Sequence, residues 1–244
     1  MASNSEQTAA VSAALSLPRI STYVAACPGA SDSGVAALEL YAWNAAVAAA
    51  MLAPLHVCEV VTRNAVADVL ESVYTENWPW SQAFERSLPD PAQGYSPRRD
   101  LQSARRSATT AGAVIPELKF VFWQKMFTSR YDTRLWDHHL LRVLPNLDSR
   151  RPVPALRESV YADLEQLRKL RNRIAHHEPI FARDLAADLQ KIVELVRLRC
   201  AITAQWMCDK LQADAVIAAR PQVTGFPVER SQGPTGSHHE HRKP

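Results

Sequence analysis

The sequence is organised around one stretch, Leu170-Arg171-Asn172-Arg173-Ile174-Ala175-His176-His177-Glu178-Pro179. It places two arginines, an amide, two adjacent histidines and a carboxylate between apolar neighbours. The solvated polar face of a helix does not require a histidine pair followed at once by glutamate and proline. We therefore treat this stretch both as the end of a helix and as the candidate functional site.

The same stretch closes the longest regular hydrophobic pattern in the chain. Apolar residues recur at helical spacing from Val153 to His176, and Pro179 enforces the end of that helix. A second pattern of the same kind extends from Leu185 to Met207. These patterns predict that the two longest helices lie adjacent and antiparallel at the C-terminal end of the chain.

Composition predicts an all-α fold, a helical bundle. The chain has 244 residues, 47% of them hydrophobic, and only 7 glycines, whereas strands would need a density of β-branched and aromatic residues that is missing. We predict a flexible N-terminal leader over residues 1–34, a helical domain over 35–215 and a disordered tail over 220–244. Within the domain, a first helix from Val35 is expected to end or kink at Pro54, with a second helix following at once.

Charge and cysteine usage set the broad class of the protein. The net charge is +3 and the pI is near 8.7, which is compatible with nucleic-acid binding but does not establish it. The four cysteines form no CxxC pair and no zinc-ligand spacing. We therefore expect a reducing, cytoplasmic location, no disulfide framework and no metal or cofactor.

The most apolar run, Val35–Val61, is almost long enough to span a bilayer, but Glu39, Asn44 and Pro54 interrupt it. The first residues also lack the basic region of a signal peptide. Both observations favour buried helices and no membrane contact.

Helical geometry limits how Arg171 and His176 can meet. They lie five positions apart, which is about 140° around the helix, so their side chains do not simply stack. Asn172 and His176 are four apart and share a face. Because the arginine arm is long and Pro179 disturbs the last turn, convergence of Arg171 and His176 is allowed at this helix end.

An arginine and a histidine suffice for metal-free cleavage of RNA. Arginine is a permanent cation whose fork matches phosphate oxygens, and histidine moves a proton near neutral pH. One arginine and one histidine do not supply both the acid and the base that a complete site needs. Two copies joined across a two-fold axis provide both. The alternative is that the helix dipole alone favours basic residues in a last turn.

The segment Leu167–Phe181 resembles the signature of Abi-like (abortive infection) proteins of the HEPN (higher eukaryotes and prokaryotes nucleotide-binding) superfamily. In that motif an arginine, usually followed by a polar residue, precedes a histidine after four to six positions. Arg171, Asn172 and His176 match it with four intervening residues. Two upstream segments, Leu38–Asn44 and Glu59–Asn64, are also similar to the family, so the resemblance spans roughly residues 35 to 210.

The resemblance implies an all-helical HEPN-like bundle that dimerises to join two motifs in one cleft. It implies metal-independent endoribonuclease activity, used as a toxin or as a defence against phage. It assigns the catalytic pair to Arg171 and His176 and a supporting polar role to Asn172. It also implies an RNA substrate and a homodimer, and it leaves open an antitoxin or regulatory partner.

Further residues are assigned supporting roles. The acidic-basic element Glu59, Arg63 and Asn64 is expected beside the motif. The role of His177 stays open, and Glu178 is expected to orient it. Candidate phosphate contacts are Arg168, Arg173, Arg105 and Arg106. For the last two, a merely solvated helix face is the alternative.

Two other functions stay open. Some HEPN domains only bind RNA or serve as assembly modules, and the modest charge of this chain agrees with that. A membrane-associated helical protein is suggested only by the apolar run Val35–Val61.

Overall fold

The structure, a computed structural model, describes residues 4–222. All regular elements in this range are helical, which confirms the predicted all-α class. The α-helices are α1 (Asn4–Leu15), α2 (Leu17–Ala25), α3 (Ser33–Tyr74), α4 (Gln82–Ser87), α5 (Pro97–Ala104), α6 (Ala111–Val114), α7 (Phe120–Lys125), α8 (Asp137–Val143), α9 (Val153–Ala175), α10 (Leu185–Arg199), α11 (Ala201–Lys210) and α12 (Ala213–Ala218). The predicted tail, residues 220–244, lies outside the described residues from residue 223 on.

Helix α3 forms the centre of the fold. It begins at an Asp32 cap, whose carboxylate accepts the N–H groups of Gly34 and Val35. It is 42 residues long and packs against α1, α2, α7, α8, α9, α10 and α12. Of the two outcomes expected at Pro54, an end or a kink, the end is wrong, because α3 continues past this buried proline. Packing on both sides of Pro54 outweighs the roughly 3 kcal/mol that an interior proline costs a helix.

The segment predicted as a leader, residues 1–34, contains helical structure within its described part. Helices α1 and α2 lie in this segment, and α2 buries Ile20 and Tyr23 against the rest of the core. The Ser- and Ala-rich composition of residues 1–34 does not indicate this packing, because only two large side chains anchor α2.

The C-terminal part of the chain differs from the prediction in two respects. Helix α9 ends within one residue of the expected His176, but α3 rather than α9 is the longest helix in the described chain. The predicted helix from Leu185 to Met207 is divided at Cys200, whose backbone is extended and whose Sγ accepts the N–H of Thr203 (3.4 Å). Helices α9 and α10 are nevertheless in contact.

Where α9 and α10 are in contact, residue numbers increase along α9 as they decrease along α10. Asp163 pairs with Lys191, and one turn later Gln166 donates to Asp188 (2.8 Å). This arrangement leaves the last turn of α9 beside α3 and the N-terminal part of the fold.

The aromatic residues in the middle of the sequence belong to the hydrophobic core. Phe127 and Trp136 stack with their ring centroids 4.3 Å apart, and the indole N–H of Trp136 donates to the carbonyl of Met126 (2.7 Å). Trp78 also packs inside, edge-on to Phe84 and Trp123. This rigid core fixes the segment that leads into α7, which forms one wall of the groove described below.

One helix among the described residues is apolar and long enough to cross a membrane. It is α3, in which an 18-residue window has a mean hydropathy of 1.7 and is 33% buried. Core helices of soluble proteins and signal sequences share this property, so it does not distinguish between locations.

Candidate functional site

Helix α9 ends in a left-handed turn at His177. His177 has φ 54°, its N–H donates to the carbonyl of Ile174 (3.0 Å), and the N–H of Glu178 donates to the carbonyl of Arg173 (2.8 Å). These two bonds define a Schellman C-cap with His177 in the place usually taken by glycine. A left-handed residue with a side chain costs roughly 1–2 kcal/mol, so the surrounding contacts must hold it.

Several of those contacts come from the loop itself. Arg173 donates through Nε and Nη2 to the carbonyl of Pro179 (3.2 and 2.6 Å) and lies 3.6 Å from the carboxylate of Glu178. The next residue, Ile180, donates its N–H to the side-chain oxygen of Asn44 in α3 (2.8 Å). Arg173 and Glu178 therefore hold the turn together. The expected phosphate contact of Arg173 and the expected assistance of Glu178 to His177 do not match these bonds.

A solvent-open groove lies beside this helix end. It has a volume of about 410 Å³. Its walls come from α3, α9 and the segment that enters α7, and its lining residues are Glu59, Arg63, Pro116, Glu117, Leu118, Lys119, Phe120, Val121, Arg168, Arg171 and Asn172. The groove thus brings the first half of the motif together with Glu59 and Arg63, which lie more than a hundred positions earlier in the chain.

Ion pairs neutralise two of the groove arginines. Glu59 and Arg63 pair along one face of α3, as their i,i+4 spacing predicts, and both side chains are mostly buried. Arg168 is fixed by two parallel bonds to Glu165 (2.8 and 2.9 Å), and the pKa of Glu165 is lowered by these hydrogen bonds. A charged Glu165 leaves Arg168 with a compensated charge, which weakens the case for Arg168 as a phosphate contact.

Arg171 is different. It is exposed at the groove, and its side chain has no hydrogen bond or ion pair within residues 4–222. Its neighbour Asn172 also lines the groove, and the Asn172 carbonyl accepts the N–H of His176 (2.9 Å). An unpaired guanidinium in a concave surface is suited to bind an anion such as phosphate.

His176 lies outside the groove. It is the C-cap residue of α9, and its side chain is exposed. A single chain therefore brings Arg171 and Asn172 together in the groove without adding His176 to its lining. The exposed ring is not buried in the apolar core, so it is accessible to a ligand or to a second chain.

Three other predicted residues lie away from the groove lining. Asn64 and Arg106 are exposed and do not line it. Arg105 points inward and bonds to the carboxylate of Glu85 (2.5 Å) and the carbonyl of Pro79 (2.7 Å). These bonds give Arg105 a structural role, away from the groove.

Lys119 is a groove residue that the sequence did not single out. Its side chain is 70% exposed, and its Nζ is 3.7 Å from the carboxylate of Asp100. No local pattern distinguishes this lysine from other surface lysines. Only the packing of the segment before α7 against α3 and α9 brings it to the groove.

No group of three or more His, Cys, Asp or Glu side chains within the described part of the chain is arranged to hold a metal ion. Protein-family models, curated proteins and solved structures gave no match to the chain. The resemblance to Abi-like proteins therefore stays a hypothesis drawn from the sequence motif.

Proposed function

We propose that this chain is a metal-independent endoribonuclease with an HEPN-like helical bundle, acting in the bacterial cytoplasm as a toxin or phage-defence factor. The observation that carries the proposal is the groove that combines Arg171 and Asn172 with Glu59 and Arg63. The family resemblance assigns roles to both pairs, from two segments that lie far apart in the chain.

The proposed reaction is an internal transesterification of RNA. One histidine removes the proton of a ribose 2'-OH, and the 2'-oxygen attacks the adjacent phosphorus. The bond from phosphorus to the 5'-oxygen breaks, and a second histidine donates a proton to that oxygen. The products are a 2',3'-cyclic phosphate end and a 5'-OH end.

Arg171 would stabilise the charge on the phosphorus oxygens during this step. It is the groove arginine with no partner among the described residues, so no existing ion pair must break before it binds phosphate. Asn172 beside it supplies a neutral donor and acceptor. The Glu59–Arg63 pair would act by fixing the wall against which the strand lies.

A homodimer completes the proposed site. Each chain supplies one exposed His176, and the reaction needs both an acid and a base. A two-fold axis near the end of α9 would bring two copies of His176 to one cleft, with Arg171 from each copy nearby.

One observation favours a second candidate function, a non-catalytic RNA-binding or protein-interaction module. His176 does not line the groove that contains Arg171. A chain that binds RNA without cutting it would need the groove cations and no histidine. It would show salt-dependent RNA binding without strand scission at any protein concentration.

Expression in bacteria separates the two functions. The wild type, His176→Ala and the control Arg150→Ala are induced in parallel, and growth and total RNA integrity are scored together. The nuclease proposal predicts growth arrest with RNA fragmentation for the wild type and for Arg150→Ala, and neither effect for His176→Ala. Fragmentation by a well-folded His176→Ala protein would overturn the catalytic assignment, and intact RNA in all strains would favour the binding module.

A further inference from the structure

The backbone at the end of α9 is held from a distant part of the chain. The carbonyl of His177 accepts a hydrogen bond from Nη1 of Arg19 (2.7 Å), which lies 158 positions earlier, in α2. The N–H of the same residue donates to the carbonyl of Ile174. Both backbone polar groups of the left-handed His177 are therefore bonded.

Helix α2 is a firm platform for this arginine. Tyr23, one turn after Arg19, is fully buried, and its ring centroid lies 5.1 Å from that of Tyr41 in α3 and 5.1 Å from that of Phe181. Phe181 belongs to the same loop as His177. Helix α2 thus contacts the loop after the motif at two points, through Arg19 and through Tyr23.

The His176 ring is not held by a bond to any other described residue. The ring of His176 is exposed and has no hydrogen-bond partner within residues 4–222. Its backbone is fixed on one side by the last turn of α9 and on the other by His177. A left-handed residue with a side chain relaxes readily when its external bond is lost, and such relaxation would turn His176 as well.

We propose that Arg19 is a positioning residue, which orients His176 by holding the carbonyl of His177. This inference rests on the proposed function, in which His176 transfers the proton. A small displacement of a proton-transfer group lowers the rate of the chemical step much more than it weakens binding of the RNA.

The first test is kinetic and uses the full chain. Arg19→Ala is expected to lower kcat by about tenfold or more with KM nearly unchanged. Arg19→Lys, which keeps the charge and a donor, should regain most of the loss. Arg99→Ala is the matched control, because Arg99 also donates to a backbone carbonyl, that of Pro91 (2.5 Å), but in another part of the fold.

The second test does not need catalysis. The ring resonances of His176 are identified in a ¹H–¹³C spectrum by their absence from His176→Ala. They should shift in Arg19→Ala and stay in place in Arg99→Ala. If the wild type cuts no RNA, the proposed nuclease fails, while this spectrum still decides whether Arg19 orients His176.

An unchanged His176 spectrum in Arg19→Ala would overturn the inference, whatever happens to kcat. So would an equal shift in the Arg99→Ala control. If Arg19→Ala fails to fold, Arg19→Gln and Arg19→Lys are compared instead, and identical spectra for these two variants and the wild type would contradict the role of the Arg19 hydrogen bond to the His177 carbonyl.

Discussion

Helix α9 places the same type of residue in opposite surroundings at its two ends. Near its start, Arg157 is only 8% exposed, and it bonds to both carboxylate oxygens of Asp132 (2.9 and 3.3 Å) and to the carbonyl of Phe127 (3.3 Å). Near its end, Arg171 is exposed in a groove and has no partner among the described residues. Arg157 stabilises the fold through these bonds, whereas the guanidinium of Arg171 is available to bind a ligand.

The arginines near the end of α9 have different roles, although they lie within a few residues of one another. Arg173, two positions after Arg171, is used to close the turn through Pro179. Arg168, three positions before it, is compensated by Glu165. Of these neighbouring arginines, Arg171 is the one whose side chain has no ion pair or hydrogen bond among the described residues.

The largest expected effect is on cleavage by Arg171→Ala. Removal of the unpaired guanidinium should lower the rate of RNA cleavage by roughly 100-fold or more, in line with the loss of one donor to a charged transition state. The free energy of unfolding should change by less than about 0.5 kcal/mol, because nothing in the described fold bonds to this side chain.

Arg150→Ala is the matched control for this prediction. Its side chain is 89% exposed and precedes α9, and the rise of 1.5 Å per residue separates the start of α9 from Arg171 by roughly 27 Å. Equal losses of activity in the two variants would remove the distinction between Arg171 and an ordinary surface arginine.

Arg157→Ala should have the opposite profile. It leaves the carboxylate of Asp132 without its partner in a mostly buried place, and the free energy of unfolding should fall by about 3 kcal/mol. Urea unfolding measures this loss. The folded fraction should still cut RNA at the wild-type rate.

The double variant Arg157→Met, Asp132→Leu tests the cause of that loss. Because it removes both charges together, it should recover most of the stability. A double variant as unstable as Arg157→Ala would show that the loss comes from packing and not from an unpaired carboxylate.

Prediction from the sequence succeeded where the signal was local. The periodic Leu156, Val160 and Leu164 are all buried in α9, and the i,i+4 pair of Glu59 and Arg63 forms on α3. The Arg–Asn pair of the motif was also correctly placed at a helix end. Each of these features is set by residues within one or two helical turns.

Prediction failed where distant segments decide the outcome. Tyr23 anchors α2 through Tyr41 and Phe181, and nothing within its own Ser- and Ala-rich segment indicates those contacts. Lys119 reaches the groove only through the packing of α7. The partners of Arg105 and Arg173 were missed for the same reason, because a sequence does not show whether an arginine turns inward to a carbonyl or outward to solvent.

Salt dependence gives a smaller effect that sharpens the contrast among the groove arginines. RNA binding is measured in a His176→Ala background, so that no cleavage interferes. Arg171→Ala should reduce the slope of log K against log salt by about one, and Arg168→Ala should reduce it less, because Glu165 already compensates Arg168. Equal slopes for both variants would contradict the assignment of Arg171 as the free cation.

The smallest effect is expected at His177. His177→Asn should keep the stability within about 0.5 kcal/mol and keep the cleavage rate, because asparagine tolerates the left-handed backbone and retains the carbonyl that Arg19 binds. His177→Val should destabilise the protein by about 1–2 kcal/mol, because a β-branched residue resists this conformation. A large loss of cleavage in a stable His177→Asn protein would assign chemistry, rather than conformation, to the His177 ring.

The central claim, that His176 performs proton transfer without a metal, is tested most directly by product analysis. The purified full chain is incubated with end-labelled single-stranded RNA in excess EDTA, beside His176→Ala with the same melting temperature. The account predicts fragments that end in 2',3'-cyclic phosphate from the wild type and none from the variant. Fragments of the same kind from both proteins, or from neither, would contradict it.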